Sequence, residues 1–226
     1  MKSFIGFSCA LVLMAALCPA GGLAQGQADI NARVDDLVGK HYMDGIPYEV
    51  ARALGPEALP HLFELLGDSD RKPFWVNIIV TIGFIEDPSA VDPLVAFLEN
   101  TEGEVDPFTF RALLSVPYAL GCIAGGGSSR ALQYLAGSVR APLKMRWRFR
   151  GKPVEELITE QSVMGLAVSG QPEARSLLLE LKGETKQKIG PEARALAGNN
   201  VDQALAIMDR IANRGRAAVL NPHYGD

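Results

Sequence analysis

Apolar residues recur along this chain at spacings of three and four, broken by short polar turns. Within residues 56–66, Ala58, Leu59, Leu62, Leu65 and Leu66 fall on one face of a 3.6-residue period. Residues 88–98 repeat the arrangement with Ala90, Val91, Leu94 and Leu98, and Pro56 and Pro88 stand 32 residues apart. The pattern returns at wider gaps. Ala131 and Leu132 lead to Leu135 and Val139; Ala174 leads to Leu177, Leu178 and Leu181; Ala204 and Leu205 lead to Met208, Ile211 and Ala212. Each stretch predicts one amphipathic helix. Helix starts are written in as well. Asp87-Pro88 offers a side-chain acceptor at the N-cap and a proline at the first helical position, where its missing N–H is harmless. Gly55-Pro56 and Gln171-Pro172 keep the proline with a weaker cap, and Glu57 and Glu173 put negative charge in the first turn.

A second set of helices is expected before these, over residues 74–85, 108–123 and 154–168, which are apolar nearly throughout. Each has a glycine near its end, Gly83, Gly121 or Gly165, where a small residue lets helices approach closely or lets the chain leave the helix. The unit is thus helix–turn–helix, and such hairpins bury their apolar faces by stacking. The run Ile82-Gly83-Phe84-Ile85-Glu86-Asp87-Pro88-Ser89-Ala90-Val91-Asp92-Pro93-Leu94 resembles a HEAT repeat of the short PBS-lyase type, and the likeness extends over roughly residues 45–215. It implies an all-α, right-handed α-solenoid of about five HEAT-like hairpins. Residues 25–45 are expected as a capping entry segment with a helix over 30–38, residues 46–215 as the array, and residues 216–226 as a loose tail. The departures from the repeat are Gly125-Gly126-Gly127 and the stretch 140–153.

The N-terminal segment reads differently. Lys2 precedes a nearly all-apolar run over residues 4–17, Pro19, Gly21 and Gly22 break any helix, and small residues precede Gln25. That is the layout of a secretory signal peptide over residues 1–24. Cys18 resembles a lipidation site, but Leu17 before it departs from that pattern. The expected location is periplasmic or secreted. No later stretch was read as long and apolar enough to cross a bilayer. Cys122 would be the one cysteine left after cleavage, so no internal disulfide is expected, and its apolar surroundings make it a small core residue.

Charge changes the picture at one place. The net charge of −4 gives no reason to expect a nucleic-acid partner. Residues 140–153 nevertheless carry Arg140, Lys144, Arg146, Arg148, Arg150 and Lys152 and no acid. From Met145 to Arg150 apolar and basic residues alternate, which predicts a short extended segment with Trp147 and Phe149 on one side and arginines on the other. Arg146, Trp147, Arg148, Phe149 and Arg150 are therefore the candidate partner-binding residues. Their partner would be another protein, through an acidic surface, or an anionic headgroup. The competing reading is a solvated loop whose aromatics cover a neighbouring helix.

An acidic run, Glu99, Glu102, Glu104 and Asp106, lacks calcium-loop spacing and reads as a solvated loop. His41, His61 and His223 form no zinc pattern, Gly125-Gly126-Gly127-Ser128-Ser129 lacks a phosphate-binding lysine, and Glu155, Glu156 and Glu160 read as a solvated helix face. Trp75 reads as core. No catalytic set, metal or cofactor is expected. The function expected is a binding scaffold or assembly subunit; the alternatives are an accessory of an envelope enzyme and a passive structural protein.

Overall fold

A computed structural model describes residues 21–141, 143–183 and 200–221. It is mostly helical, as expected. The helices are α1 (Gly21–Val38), α2 (Tyr48–Arg52), α3 (Leu59–Gly67), α4 (Trp75–Ile85), α5 (Val91–Asn100), α6 (Pro107–Gly125), α7 (Ser129–Arg140), α8 (Glu155–Ser169), α9 (Pro172–Lys182), α10 (Asn200–Arg214) and α11 (Arg216–Leu220). Two-residue strands β1 (Gly103–Glu104) and β2 (Trp147–Arg148) precede α6 and α8.

The helices sort into two rows. In row A, α2 packs on α4, α4 on α6, α6 on α8 and α8 on α10. Row B holds α3, α5, α7 and α9, which pack mainly into row A and touch one another far less. The entry helix α1 lies against α3 and α4. Row A is close-packed because its glycines are placed for it. A Cβ on Gly83 would overlap Ala119, one on Gly121 would overlap the Gly165 carbonyl, and one on Gly165 would overlap the Pro117 carbonyl. The glycines thus serve close approach within the helices. Within row A, α4, α6 and α8 are buried on most sides, which explains their largely apolar sequence, while α10 and the row B helices keep a polar outer face.

Local signals hold with one refinement. Pro56 and Pro88 each open a turn of 3-10 helix that leads into α3 and α5. The Asp87 carboxylate accepts the Ser89 N–H at 2.8 Å. Ser128 caps α7 in the same manner, accepting from Ala131.

Four expectations need correction. α1 is longer than expected, and Gly21 and Gly22 stand in its first turn. The rest of the expected signal segment, residues 1–20, lies outside the described residues. The period over residues 204–212 predicts the second helix of a hairpin, but α10 packs beside α8 as a member of row A. The start of the expected loose tail is helical: α11 folds back to touch α2, and Leu220 and Asn221 are buried, while residues 222–226 lie outside the described residues. Finally, α6 is long and apolar enough to cross a membrane by length and composition, although it is mostly buried among its neighbours.

Candidate functional site: a groove between α7 and α9

The close approach of α6 and α8 in row A is not matched above them. α7 and α9 diverge, and a groove of about 540 Å³ opens between them. One wall is a face of α7 carrying Leu132, Gln133, Ala136, Gly137 and Arg140, the helical spacing of one face. The other is the start of α9, with Glu173, Ala174 and Leu177; Ala124 and Leu166 reach it from row A. Ala136, Gly137 and Ala174 are what leave it open, and a Cβ on Gly137 would meet nothing within 4 Å. Gln171, also lining it, donates its amide to the Ala124 carbonyl at 3.0 Å and so holds the α8–α9 turn to the end of α6. The lining has no histidine or cysteine, and the Ser128 hydroxyl is engaged as a helix cap. The floor is mainly apolar, with Gln133, Arg140, Gln171, Glu173 and the Ser129 side chain as scattered polar groups.

The basic segment is brought against the acidic run. β1 and β2 pair in parallel, Gly103 opposite Trp147 and Glu104 opposite Arg148. Burial follows the alternation: Trp147 is buried, Arg146, Arg148 and Arg150 are exposed, and Phe149 is partly buried. Trp147 donates its indole N–H to the Leu98 carbonyl at 3.2 Å, satisfying the end of α5. Phe149 stacks on Phe110 with centroids 3.9 Å apart. The guanidinium of Arg146 pairs with Glu102 and reaches the Glu99 carbonyl. Trp147, Phe149 and Arg146 are thus committed inside the chain; Arg150, though exposed, lies over the Phe149 ring with its guanidinium carbon 5.1 Å from the centroid, and Arg148 is the candidate with no such contact among the described residues. Arg150 and Gly151 form a two-residue turn, both with positive φ (53° and 71°), closed by reciprocal bonds between Phe149 and Lys152. The Glu104 carboxylate accepts the Gly151 N–H at 3.2 Å.

The acidic run is likewise accounted for. Asp106 accepts the N–H groups of Phe108 and Thr109 at the start of α6 and pairs with Lys72 at 2.9 Å. The Lys72 ammonium and those N–H donors hold its carboxyl well below the usual carboxylate range. Among the described residues no group of three metal-ligating side chains converges.

A third polar centre had no signal in the sequence. Arg216, opening α11, reaches across the ends of three row A helices. Its guanidinium donates to Glu86 and to the carbonyls of Cys122 (2.7 Å) and Val168 (3.2 Å). Glu86 caps α4 with a left-handed φ of 62° and also accepts the Tyr48 hydroxyl at 2.6 Å. Side chains on Gly125 and Gly126 would collide with Arg216 and Glu86, so the glycine run that departs from the repeat makes room for this pair. Burial first, then the bond to Glu86, pushes the Tyr48 phenol up to about 12. Burial likewise pushes the Cys122 thiol up to about 12, which favours its neutral form. A charged pair in an Arg–carboxylate geometry is detectable in sequence only through covariation, which one chain does not display.

The remaining candidates are structural. Trp75 is buried and donates to the carbonyls of Leu65 and Asp68. His61 sits between Asp35 and Glu64, at 3.4 and 3.3 Å, and His41 lies beside the Phe74 ring. His223 lies outside the described residues. The Glu155 carboxylate accepts the N–H groups of Val154 and Met145.

No family model matches this chain, and comparison with curated proteins and with solved structures returned no match.

Proposed function

We propose that this protein is an exported, non-catalytic scaffold of HEAT-like hairpins that binds a segment of another protein in the α7–α9 groove. The observation that carries this reading is the groove itself: an open, mainly apolar channel between two second helices, floored by small residues and rimmed by Arg140 and Glu173. The stacking order α2–α4–α6–α8–α10 with row B alongside is the order a right-handed α-solenoid would have. Close packing of row A against looser packing of row B would curve such an array. Export is supported by Lys2 followed by the apolar run over residues 4–17.

The partner segment suited to this channel is an amphipathic helix or strand presenting small or medium apolar anchors. Gly137→Gln is the direct test, since it fills open space on an exposed helix position and improves helix propensity. Affinity capture with the wild type and with Gly137→Gln, both checked for equal melting temperature, is expected to recover a partner with the first and lose it with the second. Capture of the same partner by both would remove the groove as the site. A third bait carrying Arg146→Glu, Arg148→Glu and Arg150→Glu separates the groove from the basic segment.

A further inference from the structure

The second proposal rests on a different surface and is independent of the scaffold reading. Strands β1 and β2 run parallel; β1 leads into α6, while the Arg150–Gly151 turn stands between β2 and α8. The Phe149–Phe110 stack and the bond from the Met145 N–H to Glu155 set the first turns of α6 and α8 beside the basic segment. Among the described residues, Lys144, Arg148, Arg150 and Lys152 on this edge are exposed and have no carboxylate within ion-pair distance. Of the nearby acids, Glu102 is paired with Arg146 and Asp106 with Lys72. Glu104 and Glu155 accept backbone N–H groups and keep their charge, so with exposed Glu156 they set three negative charges against the four cations and leave the edge weakly positive.

The same edge shows two of the few exposed large apolar side chains in the described protein. Phe108, second residue of α6, is 42% exposed, and Leu157, third residue of α8, is 37% exposed. The cation row is also rigid. Trp147 and the Phe149–Phe110 stack anchor its underside. The turn keeps Arg150 at a positive φ, a position that Asn, Asp or Gly would occupy with less strain.

We propose that this edge docks on an anionic membrane surface, with Lys144, Arg148, Arg150 and Lys152 meeting lipid phosphates and Phe108 and Leu157 entering the interface. A membrane fits better than an acidic protein because no aromatic pocket is offered. The side chains that would give shape-specific recognition, Trp147 and Phe149, face inward, leaving cations beside isolated apolar groups, the pattern of interfacial binding.

The test is flotation of the full chain with vesicles of phosphatidylcholine alone and of equimolar phosphatidylcholine and phosphatidylglycerol. The N-terminal apolar segment is common to every arm and cancels. The variant is Arg148→Gln, Arg150→Asn, Lys152→Gln, whose fold is verified by the fluorescence of buried Trp147. The wild type is expected to prefer anionic vesicles, with the preference falling as salt rises. The variant should lose about a hundredfold of that preference, each cation near an anionic surface contributing roughly fivefold. Equal binding to both vesicles, or a preference unchanged in the variant, overturns the proposal. So does wild-type binding to soluble polyglutamate without anionic-vesicle binding, which would reassign the edge to an acidic polypeptide. Gly137→Gln should float like the wild type, which keeps this result separate from that of the groove.

Discussion

Two arginine–glutamate clasps tie distant parts of this chain together, and they differ in almost everything but chemistry. Arg146 and Glu102 meet on the surface, with side chains 56% and 63% exposed. Arg216 and Glu86 meet beneath it, at 16% and 9%. Water and salt screen the first pair, so it is worth at most about 1 kcal/mol. The strength of that junction lies in what accompanies the ion pair: the buried Trp147 ring, its bond to Leu98, and the Phe149–Phe110 stack. In the second clasp the charges are the junction. The guanidinium satisfies a buried carboxylate and two helix-end carbonyls at once, where the helix dipoles also favour a cation. Burial, rather than the identity of the partners, decides which pair the fold depends on.

The largest break in this comparison is expected from Arg216→Ala. It leaves the buried Glu86 carboxylate with only the Tyr48 hydroxyl and the distant guanidinium of Arg52, at 3.9 Å, and releases α11, costing about 3 kcal/mol in denaturant unfolding. Labelling of Cys122 by a thiol reagent, blocked by burial in the wild type, should speed up in parallel. A loss below about 1 kcal/mol would mean the buried clasp is no stronger than the exposed one. Replacing both partners, Glu86→Leu with Arg216→Leu, is expected to recover most of the loss, because two apolar groups leave no charge unpaired. A double variant as unstable as Arg216→Ala would show that the carbonyl contacts dominate instead.

Trp147→Phe sharpens the other side. It keeps most of the ring and removes the N–H, leaving the Leu98 carbonyl without its donor, for an expected loss of about 1–2 kcal/mol. Arg146→Ala should cost less, about 0.2–1 kcal/mol, and the difference from wild type should shrink in high salt. A smaller effect still is expected in acid from Asp106. Its carboxyl is held below the usual value of about 3.9, so the stability it contributes is complete above that pH and is lost as pH falls through the acid range. Asp106→Asn should therefore lower stability near neutrality and make the acid limb of the stability profile shallower.

Much of the fold was legible because its signals are local. The 3.6-residue period marked α3, α5, α7 and α9, and the Asp87-Pro88 pair marked a start that Asp87 does cap. The alternation from Met145 to Arg150 foretold which side chains would be buried, though not that Trp147 and Arg146 would be committed inside the chain. The candidate groove was less legible. Leu132, Ala136 and Leu177 were visible as an apolar periodicity, but whether neighbouring helices close over such residues depends on the spacing set by Gly121 and Gly165 one layer away. Row membership escaped for the same reason: α10 has the amphipathic pattern of a row B helix, yet it packs on α8.

By itself the sequence determined an all-helical chain of amphipathic and all-apolar segments, their approximate starts, and a basic strip of unusual density. Those follow from periodicity, capping and composition, which are properties of neighbouring residues. Only the tertiary structure decided that the basic strip and the acidic run are partners, and that Arg216 closes on Glu86 from 130 positions away. An ion pair's worth is set by how much water the rest of the fold removes from around it, and that quantity is written in no local stretch of the chain.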